Sequence, residues 1–155
     1  MRRELDLPSV SRRGVLWGAV AAVLLTAVFV EVIARYFVRW ADYFDPIMVN
    51  GLLLLLSSMI RAGAGIVAGR AHRQQFRDLI DSPRDYLPTA LTAGALGWLL
   101  WTLLLGALGD WSLVTTLRGW VELPRWMIEL ALGSLLVSTQ EPEDLTRRFR
   151  TRSYS

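Results

Sequence analysis

Four ionisable residues stand inside otherwise apolar stretches of the chain: Glu31, Arg35, Arg61 and Glu129. Acids and bases in such surroundings are costly, so each needs a partner or water, and each is a candidate for ion pairing, proton handling or docking. Glu31 and Arg35 are spaced i, i+4 with the acid first, the favoured order for a pair on one helix. Arg35 can also extend its guanidinium toward a membrane surface. Arg61 has no acid within reach on its own segment, and neither does Glu129 have an obvious use alone. The single histidine, His72, lies in a basic stretch and reads as a surface residue rather than a ligand or base.

No reaction follows from these residues. The sequence has no cysteine, so disulfides, thiolate metal sites and cysteine nucleophiles are excluded. There is no H-E-x-x-H, no nucleophile elbow and no phosphate-cradling glycine loop. The expectation is a protein without catalytic residues, cofactor or metal. Asn50, Ser57 and Ser58 are polar residues in an apolar run and suit hydrogen bonds between helices better than a substrate path.

The elements that must position these residues are set by how charge is distributed. The 155 residues are 53% hydrophobic, yet they include 17 Lys+Arg and 14 Asp+Glu. The charges are blocked into short connectors between long apolar stretches, as a bilayer demands. A charge at the hydrocarbon centre costs about 2.5 kcal/mol or more. All the Lys+Arg are arginine, which reads as a GC-rich coding bias, and the arginines flank apolar spans, where they meet anionic lipid headgroups rather than nucleic acid.

Four spans are expected, at about 14–38, 46–69, 88–109 and 121–138, giving an all-α integral membrane four-helix bundle with short interfacial helices. The first run is too long for a signal-peptide core and lacks a cleavage site, so it reads as a retained helix. Trp17 near its start, with Tyr36 and Trp40 near its end, resembles an aromatic belt. Pro46 opens the second span, whose later half holds Gly65-x-x-x-Gly69, a spacing that lets another helix approach closely. The segment 70–87 is polar, with Phe76, Leu79 and Ile80 spaced for an amphipathic turn on the membrane surface. Asp110 to Trp120 reads as an in-plane helix at the outer surface. The fourth span is short for a crossing, with Pro124 near its start. Residues 1–13 and 139–155 form a basic leading segment and a polar tail.

Arginine placement gives orientation. Twelve arginines lie in the leading segment (Arg2, Arg3, Arg12, Arg13), the central connector (Arg70, Arg73, Arg77, Arg84) and the tail (Arg147, Arg148, Arg150, Arg152). Four, Arg35, Arg39, Arg118 and Arg125, lie at the other two connectors. The positive-inside rule then places both termini in the cytoplasm, in the cytoplasmic (inner) membrane. In this register Arg61 and Glu129 differ in depth by on the order of two helical turns or less. Two readings of Arg61 stand equal: an interhelical bridge to Glu129, or docking to a partner subunit or lipid phosphate.

Three short motifs carry a resemblance. Arg35-Tyr36 closes the first span and is followed by Trp40 and Asp42; Gly69-Arg70-Ala71-His72 follows the second; Pro124-Arg125-Trp126 opens the last. In this order and spacing the chain resembles, over roughly residues 14–138, the small membrane subunit (DctQ type) of tripartite ATP-independent periplasmic (TRAP) transporters. It departs from that pattern after Trp40, after His72 and in its acidic-then-basic tail. The resemblance implies a scaffold subunit for a large multi-span permease performing sodium-coupled transport with a solute-binding protein. Arg35, Tyr36, Trp40, His72, Pro124 and Trp126 would then be structural and docking residues. Competing expectations are a self-associating structural protein of an envelope, virion membrane or energy-transducing complex, and a small oligomeric channel with Arg61 lining its pore. The implied partners are a large membrane subunit or further copies of the chain.

Overall fold

A computed structural model of the chain describes residues 10–40, 43–76 and 83–139. The described residues are helical, with no strand among them. Helix α1 spans Arg12–Val28, continues as a π-helical segment over Phe29–Ala34 and passes into α2, Arg35–Trp40. Helix α3 spans Pro46–Gln75 and α4 Leu87–Ala107, the latter preceded by a 3-10 turn at Pro83–Tyr86. One turn of helix, α5, covers Ser112–Thr115 before α6, Leu117–Ser138. Among the described residues three stretches, Arg12–Phe37, Pro46–Gln75 and Pro83–Ala107, are long and apolar enough to cross a membrane by length and composition.

The helix ends follow from local chemistry. Ser11 caps α1, its hydroxyl accepting from the Gly14 N–H at 2.9 Å. Asp45 caps α3 through the Ile47 N–H at 2.7 Å, with Pro46 in the first turn, where its missing N–H costs nothing. Thr116 caps α6 through Gly119. Helix α4 closes on Gly109, whose φ of 90° suits only glycine well. The N–H of Asp110 returns to the Leu105 carbonyl at 2.9 Å and that of Gly109 to Gly106 at 3.0 Å, a Schellman closure. The Ser112 hydroxyl, and after it the Ser112 N–H, hold the Asp110 carboxyl below the usual carboxylate range.

The long helices pack through small residues and turn large ones outward. Gly14, Gly18 and Ala22 of α1 meet Thr89, Ala93 and Gly97 of α4 in ascending order, so α1 and α4 run parallel. Gly14 and Gly18 also meet Ala68 of α3, and Ser11 reaches Gln75, so α1 and α3 run antiparallel. Gly65 and Gly69 of α3 meet Leu130 and Ser134 of α6, a parallel pair, while Gly94 and Trp98 of α4 meet Met127 and Trp120, an antiparallel one. The helices therefore alternate in direction, and Ser11, Gln75, Thr89 and Val137 gather at one end. Ala22, Ala64, Ala68, Ala93, Trp98, Trp126 and Leu130 form the shared core. Leu16, Trp17, Leu24, Leu55, Leu103 and Leu132 face outward. Packing of small side chains suits a solvent in which leucine gains nothing by leaving the surface.

Several expectations are corrected. Helix α3 does not stop at Gly69 but runs to Gln75, so Arg70, His72 and Arg73 are helical rather than connector residues. Asp110 to Trp120 is not one in-plane helix: Thr116 is extended and caps α6, which starts at Leu117. Pro124 accordingly lies in the second turn of α6 rather than at its start, where it removes the N–H that would bond Trp120. The surface turn proposed around Leu79 and Ile80, the Asp42 position and nearly all of the tail lie outside the described residues.

Candidate functional site

Helix α6 carries Glu122, Arg125 and Glu129 at i, i+3 and i+7, one helical face. That face lies on the stretch of α3 from Leu54 to Arg61, itself built on the i, i+3, i+4, i+7 positions Leu54, Ser57, Ser58 and Arg61. The parallel run of the two helices brings the sets level.

The result is a neutral network of two guanidiniums and two carboxylates. Arg61 donates through Nε to Glu129 Oε2, and through Nη2 to Glu129 Oε1 at 3.4 Å and to Ser57 Oγ at 3.3 Å. Arg125 donates through Nε to Glu129 Oε1 at 2.8 Å and through Nη1 to Glu122 at 3.0 Å. Its Nη2 serves the Leu54 carbonyl and the hydroxyls of Ser57 and Ser58, at 3.2, 3.1 and 2.9 Å. Arg61 Nη2 also stands 3.9 Å from Glu122, and its guanidinium carbon lies 5.2 Å from the Trp126 ring centroid, within cation–π range. The side chains of Arg61 and Glu129 are only 6% and 8% exposed. Those of Glu122 and Arg125, near the rim, are less buried.

Below the network the helices touch backbone to backbone. A Cβ on Gly65 would run into the Leu130 carbonyl, and one on Gly133 into that of Ala62. Gly65 and Gly69 therefore serve contact between α3 and α6 of the same chain, and that face is not left open for an outside helix. Trp126 is buried against Gly97 of α4.

His72 is not a surface residue. It is 2% exposed on the last turn of α3, its ring between Phe76 and Tyr86, with centroids 5.1 and 5.2 Å away. Its Nδ1 lies 2.8 Å from Thr89 Oγ1, which also accepts the Ser11 N–H at 3.0 Å; the Ser11 hydroxyl donates to Gln75 at 2.7 Å. One threonine thus ties the starts of α1 and α4 to the end of α3.

The other sequence candidates lie apart. Glu31 and Arg35 pair with each other at 2.9 Å on the outward side of the first helix, with side chains 59% and 72% exposed. Tyr36 and Pro124 are exposed, and the Trp40 side chain lies outside the described residues. Asn50 is exposed and Ser57 and Ser58 meet Arg125. Sequence reasoning passed over Glu122 and counted Arg125 only among the connector arginines and in the Pro124-Arg125-Trp126 motif. Their spacing with Glu129 was the available signal. Among the described residues no group of three or more His, Cys, Asp or Glu is placed to hold a metal ion.

No known protein family, curated protein or solved structure matches the chain. The network itself can hold two helices in register. Each of its carboxylates accepts from a guanidinium, Glu122 from Arg125 and Glu129 from Arg61 and Arg125.

Proposed function

We propose that the chain is a non-catalytic integral membrane subunit that crosses the bilayer four times and serves as a scaffold for a larger membrane partner. Both termini and the connector around Arg84 lie on the cytoplasmic side. The observation that carries this reading is the fate of the intramembrane charges on α6. They keep α6 from being apolar enough to cross alone, and α3 supplies the groups that neutralise them. At 22 residues α6 is about 33 Å long, enough for a hydrocarbon core of about 30 Å.

The charges of α6 are met by groups on α3, and large apolar side chains face outward. A scaffold fits better than a carrier. A pore lined by Arg61 does not fit, since that side chain is committed to Glu129 and Ser57. A self-associating structural protein loses its main motif, because Gly65 and Gly69 are covered by α6. The small-subunit role of a TRAP-type transporter remains the specific form of the proposal. It accords with alternate helix directions and with exposed Tyr36 and Arg35 near one end of the first helix.

The test is purification of the full chain from its native membrane in mild detergent. Recovery with a large multi-span protein in fixed ratio supports the proposal. Recovery only as copies of itself refutes it.

A further inference from the structure

The chain treats its two sets of intramembrane charges differently. The Arg61, Glu122, Arg125 and Glu129 network is turned inward, whereas Glu31 and Arg35 are turned out on a face that also presents Val28 and Val32. The helix is π-wound from Phe29 to Ala34, where Glu31 sits. Such widenings within α-helices gather at functional positions. We propose that this face docks a membrane-spanning helix of a different subunit, one that offers a hydrogen-bond donor at the depth of Glu31 and an acceptor at the depth of Arg35. This names the contact face within the scaffold reading and rests on it.

Depth and charge choose among the occupants. Ala22 stands opposite Gly97 in the parallel pair α1 and α4, so the same offset places Glu31 level with Gly106, inside the last turn of α4. Glu31 thus lies within the apolar layer and Arg35 one turn farther, at its rim. An anionic lipid headgroup would satisfy Arg35 but repel the Glu31 carboxylate, and acyl chains solvate neither. A second copy fits badly too. A two-fold axis along the membrane normal sets Glu31 opposite Glu31 and Arg35 opposite Arg35 at equal depth, like charge against like. A foreign helix with the complementary order meets both groups, and in a water-poor setting polar contacts between helices form readily.

The experiment uses the full chain in its native membrane with a benzophenone amino acid at Val32, Val28 or, on the exposed side of α3, Met59. The expected result is a crosslink from Val32 and Val28, and not from Met59, to one other polytopic protein. Mass spectrometry should map it to a membrane-spanning segment bearing polar side chains. The double substitution E31A/R35A should lower that crosslink at least tenfold without changing the yield of the chain. A crosslink to a second copy, to lipid alone, or one indifferent to E31A/R35A overturns the proposal. A foreign crosslink from Met59 alone would keep the scaffold reading and refute this face. Absence of foreign crosslinks at all three positions would refute both.

Discussion

Replacing Arg61 by leucine tests the α3–α6 network most directly. Arg61 and Glu129 have side chains 6% and 8% exposed, so the substitution removes a cation from beside a buried carboxylate. Breaking such a pair typically costs about 3–5 kcal/mol, much of it from the charge left behind. Here Arg125 still donates to Glu129 at 2.8 Å, which draws the expectation to the low end, about 3 kcal/mol. That is roughly a hundredfold in the folding equilibrium. The informative partner is not the charge swap. With Arg61→Glu and Glu129→Arg, the new arginine faces Arg125 one turn away and the new glutamate faces Glu122, so the swap creates two like-charge contacts. The apolar double, Arg61→Leu with Glu129→Leu, leaves Arg125 and Glu122 paired at 3.0 Å and the site neutral. It should recover most of the loss, to within about 1 kcal/mol of the parent. Reversible unfolding in mixed micelles gives all four free energies of the cycle. Single substitutions that simply add, with coupling under about 0.5 kcal/mol, would refute the network as an energetic unit.

Other outcomes follow from the same packing. Gly65→Ala places a methyl against the Leu130 carbonyl and should destabilise by about 1–3 kcal/mol, whereas Gly63→Ala meets nothing and should be neutral or gain up to about 1 kcal/mol. Thermal stability of the two variants in detergent compares them directly. Thr89→Val strands the Ser11 N–H and His72 Nδ1, at about 1–3 kcal/mol for each group left unsatisfied. Faster amide exchange at residues 11–15 would report the loosened start of α1. Because the chain has no cysteine, single cysteines at Arg84 and Ser112 can be labelled cleanly. Arg84 should react with an impermeant maleimide only from the cytoplasmic side and Ser112 only from the other; labelling of both from one side would end the four-crossing reading.

Much of the helical layout was legible because apolar length and charge blocking are properties of single segments. The three apolar helices needed no tertiary information. The limits of α3 and α6 did. Arg70 to Gln75 reads as polar connector, but Gln75 and His72 find partners on Ser11 and Thr89, which lie 64 and 17 residues away. No local pattern announces that, and it is why His72 looked like a surface residue. The start of α6 was hidden for a related reason. Trp111, Leu117 and Trp120 form a plausible interfacial stripe until Thr116 is seen to cap Gly119. Glu122 drew no notice and Arg125 was grouped with the connector arginines, although their spacing with Glu129 was in plain view. The two glycines of Gly65-x-x-x-Gly69 signalled close approach but not whose helix approaches.

The span of chain between Arg61 and Glu129 also has a temporal side. The two residues are 68 positions apart, so a ribosome adding about 5–20 residues per second releases the acid some 3–14 s after the base. Through that interval α3 must be held with its arginine unanswered, by water, by lipid phosphate or by the insertion machinery. On the four-crossing reading proposed above, the arginine of α3 meets its carboxylate only when α6 arrives. Membrane entry of α6 is, on that reading, a late and conditional event, decided by a residue made before the helix itself existed.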